Sequence, residues 1–371
     1  MAVNQYITPP KKNHSLKHGG NTPLGYENKR LREFDALRGF SMILVVFSHV
    51  LLCAGIEGNE FAVPTAITMF RMPLFFFVSG FFAYRDLSKW TGPTFKRVLA
   101  QKVKAQIVCT IVFYTFRYYT LGADTIGWLD KGFQGYWFTI VLFQMFVLYT
   151  MSNIISLFTK RNISLAIMAV VAVIGFGLIA SHIYPEDRIW IVISGSNLCY
   201  FIQWFVLGLA VRKYHSKFER IISRNDVKAL LIVGFVGICC LLYTDFFKEH
   251  ETYAKMLSVI GSYVGLILVV SLFYSAKDYF QRDSQIPNTL CFVGRRTLDI
   301  YMLHYFFLPS LIAVGPLMQG NLFFQLSIGL LAACVVTAFS LAMSWSLRTS
   351  PLLADWLFGV RPKIKYVRNE R

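Results

Sequence analysis

The stretch of this sequence with the most chemistry in it is Asp35-Ala36-Leu37-Arg38-Gly39-Phe40, which opens an apolar run reaching Ser48-His49. On a helix advancing about 100° per residue, the eleven steps from Arg38 to His49 return to within roughly 20° of one face. Asp35 lies about 40° to the other side of that stripe. The rise from Arg38 to His49 is about 16 Å, roughly half a bilayer core. The stripe would therefore join a guanidinium at a membrane surface to an imidazole near the midplane. An imidazole there suits general acid–base or nucleophilic chemistry. The plainer alternative is a histidine that only hydrogen-bonds a neighbouring helix.

Other polar residues stand out against apolar surroundings. Of the 7 histidines, only His49 and His304 lie well within apolar runs. Arg71 sits in Phe70-Arg71-Met72-Pro73-Leu74-Phe75-Phe76-Phe77-Val78-Ser79-Gly80. At about 3 kcal/mol for an arginine at a helix centre, it calls for an anionic or carbonyl partner. Pro73 loosens the local backbone bonding, and Ser79-Gly80 permits close helix approach. Arg117 is a further cation inside an apolar run. Gly135-Tyr136-Trp137-Phe138 reads as an aromatic belt at a membrane interface. Near the end of the chain, Thr297 and His304 are seven apart and share a helix face, whereas Asp299 points elsewhere.

The elements that must hold these residues are long apolar helices. The 371-residue chain is 55% hydrophobic and only 15% charged, with a mean hydropathy of +0.50, which fits a polytopic membrane protein rather than a soluble domain. Apolar runs of spanning length fall near 36–55, 63–83, 103–121, 136–157, 163–183, 189–210, 228–244, 256–275, 297–315 and 322–346. The expected fold is an all-α integral membrane protein with a bundle of about ten transmembrane helices. The ninth run is interrupted by Pro309.

The net charge of +17 raises nucleic-acid binding, but the positions of the charges argue against it. Of 37 Lys and Arg, 30 fall in one set of alternating loops and the termini, 4 in the other set, and the remaining 3 are Arg38, Arg71 and Arg117. That split follows the positive-inside rule and puts both termini in the cytoplasm, facing anionic lipid. The 7 cysteines are scattered without metal-ligand or disulfide spacing and read as free thiols. Residues 1–33 are expected to form a flexible tail, 34–347 the transmembrane domain, and 348–371 a cytoplasmic interfacial tail. No cleavable signal peptide is expected before the first apolar run.

Four motifs occur in order: Asp35-x-Leu37-Arg38-Gly39 with His49 eleven residues after the arginine, Pro73-Leu74-Phe75-Phe76-Phe77-x-Ser79-Gly80-Phe81, Trp137-Phe138, and Gly294-x-x-Thr297-Leu298-x-Ile300-Tyr301-x-x-His304. Together they resemble acyltransferase family 3, bacterial integral-membrane O-acyltransferases, and are similar to its fucose 4-O-acetylase-like members. The resemblance covers about 35 to 360. It implies transfer of an acyl group, commonly acetyl from acetyl-CoA, to a hydroxyl of a glycan or other envelope molecule at the bacterial inner membrane. It makes Arg38 and His49 the central pair. Acyl-CoA is then a donor substrate, with no permanently bound cofactor. The family's second basic motif corresponds to Lys96–Lys104, where lysines replace the usual arginines and the closing proline is missing.

On that reading Arg97, Lys102 and Lys104 would hold the nucleotide end of the donor beside Arg38, and His49 would be the general base or, alternatively, a nucleophile. Asp35, if within reach, would act on His49. Arg71 or the Ser79 region would stabilise the oxyanion. Arg117 and Trp137 join the donor- and acceptor-binding candidates. Thr297 and His304 would position the acceptor, or His304 would only brace its helix. A secondary transporter is the rival expectation, since ten spans with buried Arg and His fit one. It also calls for an internal repeat and deep carboxylates. No repeat is evident, and Asp299 is the one deep acid.

Overall fold

In the computed structural model, residues 31–56, 62–120, 133, 135–183, 185, 187–318 and 321–359 are described. The unit that begins at Arg32 holds every candidate residue. Most of the expected tail, residues 1–30, lies outside the described residues, as does 360–371 of the C-terminal segment.

Among the described residues the regular structure is all helical. The principal helices are α1 (Arg32–Cys53), α2 (Ala62–Ala83), α3 (Gly92–Lys102), α4 (Cys109–Thr120), α5 (Trp137–Phe158), α6 (Ser164–Ala180), α7 (Gly195–Lys213), α8 (Asn225–Leu242), α9 (Glu251–Ser275), α10 (Gln285–Arg295), α11 (Thr297–Leu303), α12 (Leu322–Leu347) and α13 (Pro351–Phe358). Within α1, α2, α5, α8, α9 and α12 lie six segments long and apolar enough to cross a membrane. The chain is an all-α membrane protein.

The remaining expected spans take other forms. The 163–183 run is the 17-residue α6. The 103–121 run belongs to a longer helical stretch in which α3 passes through a π-helical segment, Val103–Val108, into α4. The 189–210 run divides into a five-residue helix, Arg188–Val192, and α7. The 297–315 run is helical only through α11 and one 3-10 turn, His304–Phe306. Pro309, with no N–H to give, does not resume the helix. The freed backbone finds another partner, since Leu311 N donates to Cys53 O at the end of α1, 3.3 Å away.

Two helix crossings are set by glycine. A Cβ on Gly39 of α1 would strike the Leu290 carbonyl of α10, and one on Gly294 would strike the Asp35 carbonyl. The same reciprocal contact joins α2 and α7, where Gly80 meets the Phe205 carbonyl and Gly208 meets that of Phe77. Small residues let backbones approach this closely, and dispersion rather than water exclusion then holds helices together in lipid. Gly294→Ala is expected to cost about 1–3 kcal/mol or more by forcing α10 off α1. Fluorescence-detected gel filtration after graded heating would reveal it as early aggregation. An unchanged melting profile would refute the tight crossing.

Candidate active site

Because α10 is clamped to α1, the segment that follows it runs beside the Arg38–His49 stripe. Arg38 Nη2 donates to Thr297 Oγ1 at 3.1 Å. Further along, the Tyr305 hydroxyl lies 3.1 Å from His49 Nε2. Asp299 leaves this face and anchors the segment to α12. Its carboxylate accepts from Arg348 Nε and Nη2, each at 2.8 Å, and from Ser344 Oγ, with Arg296 Nη1 at 3.4 Å. The Asp299 side chain is 3% exposed and Arg348 17%, so this is a buried, bidentate pair.

Tautomers follow from the acceptors. His49 Nδ1 lies 2.9 Å from the Val45 carbonyl, which can only accept, so Nδ1 carries the hydrogen and Nε2 a lone pair in the neutral ring. His304 repeats the arrangement. Its Nδ1 faces the carbonyls of Tyr301 at 2.8 Å and Ile300 at 3.1 Å, while its Nε2 is buried without a hydrogen-bond partner. The two imidazole centroids are 5.1 Å apart, and Tyr305 packs 4.0 Å from His304 and 5.2 Å from His49.

Tyr305 has one hydroxyl hydrogen and two acceptors. It donates to the Gly135 carbonyl at 2.9 Å and also faces His49 Nε2. Tyr301 donates to the same carbonyl at 2.6 Å. Gly135 has φ +81°, and a Cβ there would lie 2.9 Å from the Tyr305 ring and 3.0 Å from Arg117 Nη1, so glycine is required twice over. Arg117 stands over the Tyr305 ring, 4.4 Å from its centroid. The Arg117 and Arg71 charges both act on His49 and on Tyr305.

A cavity of about 230 Å³ opens beside Arg38 at the C-terminal end of α2. Arg38, Arg85 and Lys102 give it three cations, Ser79 and Thr297 give it hydroxyls, and Tyr301 forms part of its wall. Lys102 sits 3.6 Å over the Phe146 ring. Gln106, in the π-helical segment, also lines this cavity, with its Oε1 buried and without a partner. A second cavity, of about 450 Å³, lies at the other end of α2 and is lined by Arg71 and Trp137. His49 is half-buried between these ends and is a lining residue of neither cavity.

The other candidates are placed apart. Asp35 is buried where α1 meets Gly294, and fourteen residues of helix put it about 21 Å from His49, beyond direct reach. Arg97 is exposed on α3. Lys104 pairs with Asp355 of α13 at 2.6 Å and lies over the Trp356 ring, outside the cavity lining. Sequence reasoning missed Tyr305, Arg85, Gln106 and the Gly135 carbonyl, and held Tyr301 only as a motif residue with no role. Tyr305 directly follows His304, which was a usable signal. Arg85 stands where the second apolar run ends, and Gln106 resembles any polar residue at a span's edge.

A helical membrane bundle with an imidazole and tyrosine network set between two polar cavities is the class that this fold and site define. The chain belongs to acyltransferase family 3: the family's acyltransferase domain model matches residues 31–349, which takes in α1 through α12 and every candidate above. No curated protein and no solved structure matches the chain.

Asp299 fixes the segment that carries Thr297, His304 and Tyr305. Arg348→Met would strip its buried carboxylate of the bidentate partner, at an expected cost of about 3–5 kcal/mol. A clearly lowered melting temperature in detergent would verify this, and a wild-type value would contradict the anchor.

Proposed function

We propose that this protein is a multi-pass O-acyltransferase that uses acyl-CoA, with acetyl as the expected acyl group, to esterify a hydroxyl of a glycan or other envelope molecule. Ten spans, cytoplasmic termini and an inner-membrane location in bacteria complete the reading, supported by the alternation of basic loops. The single observation that carries the mechanism is the His49 ring, whose Nδ1–H is taken up by the Val45 carbonyl so that Nε2 presents a lone pair next to Tyr305.

The donor enters the cavity beside Arg38. Three cations and no acid among the described lining residues suit the phosphates of coenzyme A. Gln106 Oε1, buried and unsatisfied, suits an amide N–H of the pantetheine arm. Lys102 keeps the role expected of it, and Arg85 takes the one expected of Arg97 and Lys104. The thioester then approaches Tyr301, which shares the Gly135 carbonyl with Tyr305.

His49 Nε2 removes the proton of the acceptor hydroxyl as its oxygen attacks the thioester carbonyl carbon. The tetrahedral oxyanion forms where the Arg71 and Arg117 charges already act. The carbon–sulfur bond breaks, the His49 N–H returns its proton to the departing thiolate, and the products are an ester and free coenzyme A. The Tyr305 hydrogen can turn between Gly135 and His49, so the ring is held in place until the acceptor arrives. His304 Nε2, buried and with no partner of its own, packs beside the Tyr305 ring and leaves an acceptor next to the His49 base.

The test is glycan mass spectrometry of a deletion strain complemented with wild-type or variant chains. His49→Ala is expected to abolish the acyl mass, a loss of at least ~10²-fold, at equal protein in the membrane. Wild-type acylation by that variant would overturn the base assignment. Arg38→Ala is expected to weaken coenzyme A binding to the purified protein severalfold, and unchanged binding would remove Arg38 from the donor path.

A further inference from the structure

The cavity at the far end of α2 has the chemistry of a second substrate site. Thr65, Thr68, Asn197, Ser258 and Ser262 line it with hydroxyl and amide groups. Trp137, stacked 5.3 Å from Phe201, gives it an aromatic wall. Arg71 is the one charged side chain among its described lining residues, and Arg71 Nε is buried without a hydrogen-bond partner. A guanidinium inside an apolar bundle ordinarily has its counter-charge supplied by the protein. Here none of the described lining residues is acidic.

A ligand that completed this site would bring hydroxyls for the Thr, Ser and Asn side chains, a ring face for Trp137 and an oxyanion for Arg71. The planar guanidinium fork matches a carboxylate or a phosphodiester equally well. The volume of about 450 Å³ holds one sugar residue with its substituent.

We propose that this cavity binds the acyl acceptor, and that the acceptor is an anionic sugar unit whose carboxylate or phosphodiester is taken by Arg71. The word acceptor rests on the acyltransferase reading above, whereas the affinity for an anionic sugar does not.

The test uses the full chain in nanodiscs and calorimetric titration with three probes: methyl β-glucuronide, glucose 1-(methyl phosphate) and neutral methyl β-glucoside. At least one anionic probe is expected to bind about tenfold or more tightly than the neutral one, and the preferred anion names the source. Arg71→Gln should bring all three to the same affinity, and Arg71→Lys should retain part of the preference. Asn197→Leu, which keeps the charge and narrows the cavity, should weaken all three together and decides the matter if Arg71→Gln does not fold. Equal binding of charged and neutral probes to wild type, a preference that survives Arg71→Gln, or no binding of any probe would overturn the proposal. Coenzyme A titrated in parallel should bind wild type and Arg71→Gln alike. Its failure to bind wild type would sink the acyltransferase reading and leave the sugar result standing.

Discussion

The site depends on a backbone contact that involves no catalytic side chain. Gly39 and Gly294 let α1 and α10 touch main chain to main chain, and Gly294 is three residues ahead of Thr297. A helix so placed has little freedom of register, because each glycine accepts a carbonyl of the other helix. Once that crossing is fixed, Thr297 meets Arg38 and Tyr305 meets His49 with no further choice. The Asp299–Arg348 pair then holds the segment from its other side. The polar residues are placed by two rigid attachments, and their positions are prepared before any substrate arrives.

Within that frame the hydrogen bonds are nearly but not fully paired. His49 and His304 each present Nδ1 to a helix carbonyl and leave Nε2 as an acceptor. Tyr305 offers a single hydrogen to two acceptors, and Gly135 takes two hydroxyls at one carbonyl. Buried polar groups are ordinarily satisfied, and His304 Nε2 is one of several here that are not, lacking a hydrogen that a hydroxylated substrate would supply. Arg71 Nε and Gln106 Oε1 continue the same pattern into the two cavities.

The sequence made part of this legible. Helical periodicity put Arg38 and His49 on one stripe, and the fold adds that their partners Thr297 and Tyr305 lie on one segment. The family is confirmed over residues 31–349. Near Lys96–Lys104 the reading was weaker, because a run of basic residues does not say which face each one takes. The π-helical segment beginning at Val103 changes the winding there, with Lys102 in the cavity and Lys104 paired to Asp355. The bond from Tyr305 to the Gly135 carbonyl was out of reach for another reason. Tyrosine and glycine are ordinary in membrane helices, and only the fold brings residues 170 apart in the chain to one hydrogen bond.

The π-helical segment has a wider consequence. A π turn adds a residue to the winding, so everything after Val108 is rotated relative to a plain α-helix continued from α3. Rewinding Val103–Val108 as plain α-helix with all six residues kept would swing α4 by about 100°. Arg117 would leave the Tyr305 ring and turn toward lipid or a neighbouring helix. The way this short stretch is wound, rather than any side chain along it, thus decides where Arg117 points.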